Sequence, residues 1–123
     1  MKTMPHILVV ESNPDLRQLF GMVLERGCYR ATLVAEGHAA LAQLASGEFD
    51  LALVDYRLPE MPGDALIDAI HHQGIAVKTV LMDYPPDSWV IAHNHQADGF
   101  FRKVDIIRLC AFIARLLDSS PDK

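Results

Sequence analysis

Leu51-Ala-Leu-Val-Asp55 decides the fold, because this short run of apolar residues ends directly in an acidic one. Such a run is too short for a helix and is typical of a strand buried on both faces of a parallel sheet. Pro59, Pro62 and Gly63 follow it and favour a loop. The sequence therefore predicts that Asp55 lies at the carboxyl end of a buried strand.

Strands and helices alternate along the chain. Apolar runs rich in β-branched residues indicate strands at residues 6–10, 29–34, 51–54, 77–82 and 99–101. Apolar residues at helical spacing indicate helices at residues 14–27, 39–44, 64–74, 88–91 and 106–117. Asn13, Asp64 and either Asp87 or Ser88 are expected to cap the first, third and fourth helices. Pro85-Pro86 is expected to close the fourth strand.

This alternation predicts a flavodoxin-like α/β fold, a (βα)5 doubly wound parallel sheet, because each right-handed crossover between parallel strands needs a helix. The expected strand order is 2-1-3-4-5. In that order the ends of the first and third strands flank the point where the connections reverse direction, so Glu11 and Asp55 should converge there. The fourth and fifth strands should bring Asp83 and Lys103 to the same rim.

Composition limits the classes of function. The chain has 123 residues, half of them hydrophobic, and predicts one domain over residues 1–118 with residues 119–123 as a tail or the start of a linker. A net charge of −5 without a cluster of Lys and Arg argues against direct nucleic-acid binding. The apolar run near the amino terminus is too short for a signal sequence or a membrane span. Cys28 and Cys110 are interpreted as small buried residues in a reducing cytoplasm.

Three stretches resemble the receiver domains of two-component response regulators. They are residues 7–17, 53–63 and 99–103, and the most specific element is the pattern Val-Asp-x-x-Leu-Pro-x-Met-x-Gly around Asp55. The resemblance spans nearly the whole chain. It implies that Asp55 accepts a phosphoryl group from the phosphohistidine of a kinase. It also implies that acidic residues after the first strand help to hold Mg²⁺ and that Lys103 pairs with the phosphoryl oxygens.

The chemistry of such a site suits these residue types. A carboxylate oxygen is the nucleophile, a hard cation offsets the phosphoryl charge, and an ammonium group stabilises the aspartyl phosphate. The resemblance implies no enzyme activity beyond phosphorylation and dephosphorylation of Asp55 itself. The implied partners are a histidine kinase or phosphotransfer protein and a downstream output domain or protein. A homodimer through the fourth helix, fifth strand and fifth helix is a further implied partner. Trp89 with Ile91 is interpreted as ordinary packing, with a place on that surface as the alternative.

Two departures from the family pattern affect charge at the site. Ser12 stands where the family has a second carboxylate, so Glu11 and Asp55 are expected to bind Mg²⁺ only weakly, with Asn13 as a further candidate ligand. Asp83 stands at the family's Thr or Ser position and cannot donate a hydrogen bond when ionised. A like charge about 4 Å from the phosphoryl oxygens costs on the order of 4 kcal/mol at an effective dielectric constant of about 20. Asp83 is therefore expected to oppose Lys103.

The predicted conformational switch also departs from the family. Phe100 is at the position of the family's switch aromatic residue, but the Thr or Ser that triggers it is missing. Tyr84 replaces a small residue and Val104 replaces a proline. These changes predict a rearranged loop. Without a phosphoryl group, Lys103 is expected to pair with Asp83 or Asp55.

Other functions remain as alternatives. Ser12 and Asp83 favour a second hypothesis, in which the domain is a protein-interaction or dimerisation module that works without phosphorylation. His93-Asn94-His95 suggests a metal or nuclease role, but two histidines at i and i+2 point apart on a helix. A flavodoxin-like enzyme or nucleotide binder lacks support, because neither a Gly-rich phosphate loop nor a nucleophile elbow follows a predicted strand.

Overall fold

Five parallel strands form one sheet in the computed structural model, which describes residues 4–84 and 88–118. The strands are β1 His6–Val10, β2 Arg30–Val34, β3 Leu51–Asp55, β4 Lys78–Asp83 and β5 Gly99–Arg102. Their order is β2-β1-β3-β4-β5, and every neighbouring pair is parallel. The predicted fold class and strand order are therefore confirmed, and the predicted strand ends agree to within one residue.

Helices connect the strands on both faces of the sheet. They are α1 Pro14–Arg26, α2 Gly37–Ser46, α3 Gly63–His72, α4 Trp89–Asn94 and α5 Leu109–Asp118. A 3-10 helix, Lys103–Arg108, lies between β5 and α5. The apolar cluster on one face includes residues of α2, α3 and α4, and the cluster on the other face includes residues of α1 and α5.

The central strand β3 is buried from end to end. Alternate residues of a strand point to opposite faces, so Ala52 and Val54 join the cluster that includes α2 and α3. Leu51 and Leu53 join the cluster that includes α1 and α5. Asp55, the last residue of the strand, is buried as well. Packing on both faces therefore fixes the backbone that carries Asp55.

The predicted cap is right for α1 and wrong for α3. The Asn13 side chain accepts a hydrogen bond from the Leu16 N–H at 3.0 Å. Asp64 lies inside the first turn of α3, because that helix already begins at Gly63, with Pro62 at the cap position. A carboxylate in the first turn is still favourable there, since the amino-terminal end of a helix carries partial positive charge.

The start of α4 and the start of α5 also differ from prediction. Ser88 lies at the cap position of α4, but its hydroxyl group donates to Asp83 instead of accepting from the helix. The predicted roles of Pro85-Pro86 and Asp87 fall on residues outside the described part of the chain. α5 begins at Leu109 rather than at residue 106, because Asp105 has non-helical backbone angles and the preceding turn is 3-10.

The cysteines differ in exposure. Cys28 lies in the turn after α1 with a φ of 68° and is exposed, so the prediction that it is buried is wrong. Cys110 is half-buried in α5.

In residues 4–84 and 88–118, no helix combines the length and apolar character needed to cross a membrane. The predicted tail at 119–123 lies outside the described residues.

His95 joins the end of α4 to α3. Its Nδ1 lies 2.8 Å from an Asp68 oxygen, and its Nε2 lies 3.3 Å from Asp64 Oδ2. The hydrogen bond to Asp68 raises the pKa of His95 above its usual value, and the two carboxylate charges outweigh the opposing effect of burial. His95 is thus a titratable contact between two helices. The metal role that His93 and His95 suggest, which their spacing disfavours, gains no support from these contacts.

We expect His95→Gln to reduce the pH dependence of stability. Because the pKa is raised in the folded state, the stabilisation by His95 is full below its ordinary value of 6.5 and is lost as pH rises through the folded-state pKa. The effect should stay below about 1 kcal/mol, since the pair is partly exposed. Urea denaturation over a pH series measures it, with the exposed His93→Gln as control. Equal curves for the two variants would contradict this assignment.

Candidate functional site

Four charged side chains meet at the carboxyl-terminal rim of the sheet. Glu11 directly follows β1, Asp55 and Asp83 end β3 and β4, and Lys103 directly follows β5. All four are buried, with no more than 6% of any residue exposed. Buried charges are rare unless they are paired. The strand order thus brings together the charged residues that the sequence placed at this rim.

Lys103 bridges two of the carboxylates. Its Nζ lies 2.8 Å from Glu11 Oε1 and 2.8 Å from Asp55 Oδ1. Burial lowers the pKa of Lys103, but its contacts with Asp55 and Glu11 outweigh burial, so the net pKa is raised. The predicted pairing of Lys103 with Asp55 is confirmed, and Glu11 takes the place of Asp83 as its second partner. The ammonium group is therefore charged and fixed beside the Asp55 carboxylate.

Glu11 is held from both sides. Its backbone N–H donates to the Val34 carbonyl at 3.0 Å, and its Oε2 accepts from the Asn13 N–H at 3.1 Å. Burial raises the pKa of Glu11, and the negative charge of Asp55 adds to this effect against the pull of Lys103. Among the described residues, Lys103 is the one cation that contacts both Glu11 and Asp55.

Asp83 has partners that the sequence analysis missed. Arg57 Nε donates to Asp83 Oδ1 at 3.2 Å, and Arg57 Nη2 approaches Oδ2 at 3.5 Å. The Ser88 hydroxyl group donates to Oδ2 at 2.8 Å, and the Tyr84 N–H donates to Oδ1 at 2.9 Å. Asp83 is therefore hydrogen-bonded on both oxygens, and a guanidinium group offsets its charge. The expected opposition between Asp83 and Lys103 is weaker than the sequence alone implied.

The loop after β3 positions Arg57. The Arg57 N–H donates to Asp55 Oδ1 at 3.1 Å. Arg57 also forms an antiparallel bridge with Pro62, and the Gly63 N–H donates to the Tyr56 carbonyl at 2.8 Å. The available signal in the sequence was the position of an arginine two residues after Asp55, on a loop that predicted topology places at the same rim. That signal does not say which carboxylate the arginine contacts.

We expect Arg57→Ala to lower the free energy of unfolding by about 1 kcal/mol, because Asp83 would stay buried without its cation while the arginine itself is largely exposed. Asp83→Asn in the Arg57→Ala background should recover most of the loss, since a neutral amide needs no cation. Urea denaturation measures both effects, and the exposed Arg26→Ala is the control. If Asp83→Asn did not recover the free energy of unfolding lost in Arg57→Ala, the loss would not come from the contact between Arg57 and Asp83.

Oxygen atoms that suit Mg²⁺ lie beside Asp55. The Ser12 hydroxyl group is 3.5 Å from the carbonyl oxygen of Arg57, whose N–H donates to Asp55 Oδ1. Mg²⁺ prefers such oxygen ligands and keeps several waters. Lys103 already contacts one oxygen of each carboxylate, and in residues 4–84 and 88–118 no three His, Cys, Asp or Glu side chains are arranged to hold a metal. Weak binding of Mg²⁺ by the remaining oxygen atoms stays a prediction.

Two further expectations concern residues near the site. The Asn13 side chain caps α1, so its oxygen is used there and the candidate ligand role is not supported. The Tyr84 side chain is half-exposed, and its ring centroid lies 5.3 Å from Lys103 Nζ, within cation–π range. Phe100 is half-buried and packs against the cluster that includes α3 and α4. The structure thus brings Tyr84 to the charged rim and places Phe100 one strand away from Asp83.

Known proteins share both the sequence pattern and the fold. Residues 7–113 match the response regulator receiver domain family. The chain is 30% identical to the transcriptional activator protein PfeR of Pseudomonas aeruginosa over 118 residues, which cover 96% of this chain and 37% of that protein. It therefore spans little more than a third of that curated relative.

Two solved structures have the same fold over nearly their full lengths. One is a CheY-like response regulator receiver domain protein from Methanospirillum hungatei JF-1, with a TM-score of 0.85, 26% identity and coverage of 94% of this chain and 95% of that chain. Another is the signal receiver domain of an HD domain-containing protein from Pseudomonas fluorescens Pf-5, with a TM-score of 0.86, 27% identity and coverage of 96% and 90%. This chain belongs to the response regulator receiver domain family of two-component signalling.

Proposed function

We propose that Asp55 accepts a phosphoryl group from a histidine kinase or a phosphotransfer protein. The observation that carries the proposal is the Asp55 carboxylate, buried at the rim of the sheet with Lys103 Nζ at 2.8 Å. One Asp55 oxygen forms a bond to phosphorus as the bond between phosphorus and the donor histidine nitrogen breaks. The histidine leaves with the electron pair of that bond and takes up a proton.

Lys103 and Arg57 supply positive charge for this step. Lys103 is already beside the carboxylate, so it can pair with the incoming phosphoryl oxygens without a large rearrangement. Arg57 offsets the charge of Asp83, which otherwise opposes a phosphoryl group at Asp55. Glu11, Asp55, Ser12 and the Arg57 carbonyl would hold Mg²⁺ weakly, and the ion would offset phosphoryl charge when bound. In this proposal the chain performs no reaction beyond phosphorylation and dephosphorylation of Asp55.

The wider role is signalling to a downstream partner. A phosphoryl group adds negative charge at the rim, where Tyr84 and Phe100 are the proposed switch residues. PfeR, to which this chain is 30% identical, is named a transcriptional activator protein, so the proposed partner is an output domain or protein. The surface of α4, β5 and α5, with Trp89 56% exposed, is the proposed place for a partner or a second copy. The two free cysteines favour the cytoplasm.

Intact mass after incubation with acetyl phosphate or phosphoramidate and Mg²⁺ tests the proposal. We expect the native chain and the control Asp15→Asn, an exposed carboxylate in the first turn of α1, each to gain one phosphoryl group. Asp55→Asn should gain none. A Mg²⁺ titration should require a high concentration, because the donor set is weak. An unchanged mass with every donor would favour the alternative that works without phosphorylation, which the family comparisons do not support.

A further inference from the structure

Helix α4 has little stability of its own. It spans only Trp89–Asn94, and Ser88 at its cap position does not cap it. Gln96, just beyond its carboxyl end, has a φ of 60°, which is unfavourable for a residue other than glycine. Isolated helices of this length are not stable in water, so tertiary contacts decide whether α4 is held in place.

Side-chain contacts hold α4 at both ends. At its start, the Ser88 hydroxyl group donates to Asp83 Oδ2 at 2.8 Å, at the charged rim of the sheet. At its carboxyl end, the His95 ring contacts Asp64 and Asp68 of α3. A helix of six residues is only about 9 Å long, so a movement of one end displaces the other. α4 therefore connects a titratable contact with the rim.

The contact at the carboxyl end needs the doubly protonated ring. A neutral imidazole has one N–H and donates to one carboxylate, whereas an imidazolium donates from both nitrogens. His95 Nδ1 lies 2.9 and 2.8 Å from the two Asp68 oxygens, and Nε2 lies 3.3 Å from Asp64 Oδ2. The other Asp64 oxygen is buried and has no hydrogen-bond partner among the described residues. Loss of the proton therefore leaves one carboxylate without its donor and removes the positive charge between them.

The other ionisable groups around this contact are histidines of α3 and α4. His71 and His72 line the same cavity as His95 and Asp68, and His93 is exposed on α4. Within residues 4–84 and 88–118, these three histidines make no side-chain hydrogen bond or ion pair. Any of them that is protonated repels a charged His95, so they do not supply the attraction that keeps its proton. The two carboxylates of α3 supply it.

We propose that protonation of His95 controls the position of α4 and, through α4, the contact of Ser88 with Asp83 at the rim. With the proton bound, His95 holds the carboxyl end of α4 on α3. Without the proton, that end separates from α3 and the start of the helix moves with it. The control is graded, because a partly exposed pair changes the population of the held state by about fivefold at most.

Nuclear magnetic resonance of the full ¹⁵N-labelled chain tests the proposal, over a pH series that starts below the ordinary histidine value of 6.5. The ring nitrogens of His95 give its titration midpoint. The Ala97 amide, which donates to a carbonyl of α4, should lose protection from hydrogen exchange by about threefold as pH rises through that midpoint. The amides of Ser88 and Tyr84 should shift with the same midpoint. The Tyr84 N–H donates to Asp83 Oδ1 and so reports on that carboxylate.

Variants of the contact and of its neighbours identify the group that titrates. His95→Gln should remove the pH dependence of all three amides in this range. Asp64→Asn with Asp68→Asn should remove it as well and should lower the titration midpoint of His95. His93→Gln and His72→Gln change exposed histidines nearby. These two controls should keep the pH dependence of the native chain.

Three results would overturn the proposal. One is an Ala97 amide whose protection does not follow the His95 midpoint, which would mean that the proton does not hold the end of α4. Another is a loss of protection at Ala97 without a shift at Ser88 and Tyr84, which would separate α4 from the rim. The third is a response that persists in His95→Gln. Asp55→Asn should respond as the native chain does, so the outcome is independent of phosphorylation.

Discussion

Gly63→Ala is expected to lower the free energy of unfolding by about 3 kcal/mol, at the upper end of the usual cost of overpacking. A Cβ atom at Gly63 would lie 2.3 Å from the Asp55 carbonyl oxygen and 2.9 Å from the Tyr56 Cα. Both are backbone atoms, so no side-chain rotation relieves the contact. The chain must move either the start of α3 or the end of β3, and both positions are fixed by packing on the sheet.

The same substitution should also impair phosphorylation. Any movement of the Asp55 carbonyl moves the carboxylate that contacts Lys103, and such contacts lose value steeply with misplacement. Gly74→Ala is the matched control, because Gly74 has a φ of 69° but no atom within 4 Å of an added Cβ. It should cost about 1 kcal/mol through backbone strain alone. Urea denaturation and the intact-mass assay measure the two effects, and similar losses for both variants would remove the steric argument at Gly63.

The fold could be predicted because its signals are local. Leu51–Val54 and the other apolar runs mark strands by composition and length. Parallel topology then fixes which strand ends meet, so the sequence predicts that Glu11, Asp55, Asp83 and Lys103 lie at one rim. The first residues of the helices are less predictable. Asp64 and Ser88 both suit a cap, and only tertiary contacts decide whether they form one.

The partners within the site could not be predicted because they join elements far apart in the chain. Asp83 is separated from Arg57 by 26 residues, and the hydrogen bond between them crosses from one strand end to another. The Ser88 hydroxyl group could accept a hydrogen bond from the start of α4 or donate one to Asp83. It donates to the buried Asp83 carboxylate and does not cap the helix. Burial raises the value of a hydrogen bond to a charge. Asp83 is therefore a carboxylate whose charge Arg57 offsets, and not the unopposed charge that the sequence predicts.

Lys103→Met is expected to lower the free energy of unfolding by about 3 kcal/mol near neutral pH, because it removes the only cation beside two buried carboxylates in the described residues. Glu11 and Asp55 would then repel each other without compensation. The loss should shrink as pH falls through the pKa of Glu11, which burial already raises above 4.5. Protonated Glu11 needs no cation, so a raised folded-state pKa stabilises the variant at low pH and not at high pH.

Two further variants test this cause. Glu11→Gln in the Lys103→Met background should recover much of the loss at neutral pH and remove most of its pH dependence. Lys78→Met is the control, because Lys78 lies at the opposite end of β4 and contacts neither carboxylate. Urea denaturation between acidic and neutral pH measures all three variants. If Lys103→Met were as stable as the native chain at neutral pH, this result would contradict the assignment of Lys103 as the counter-ion that stabilises the two carboxylates.

The phosphorylation rate separates the structural role of Lys103 from its chemical role. Loss of an electrostatic partner of the reacting group typically slows a reaction by about a hundredfold or more. We therefore expect the phosphorylation rate of folded Lys103→Met to be at least about a hundredfold below that of the native chain. The double variant Lys103→Met with Glu11→Gln should regain stability but not rate, because neither of its new side chains is a cation. A double variant that regained both would limit Lys103 to neutralising Glu11 and Asp55. Recovery of stability alone would mean that the ammonium group also pairs with the phosphoryl oxygens.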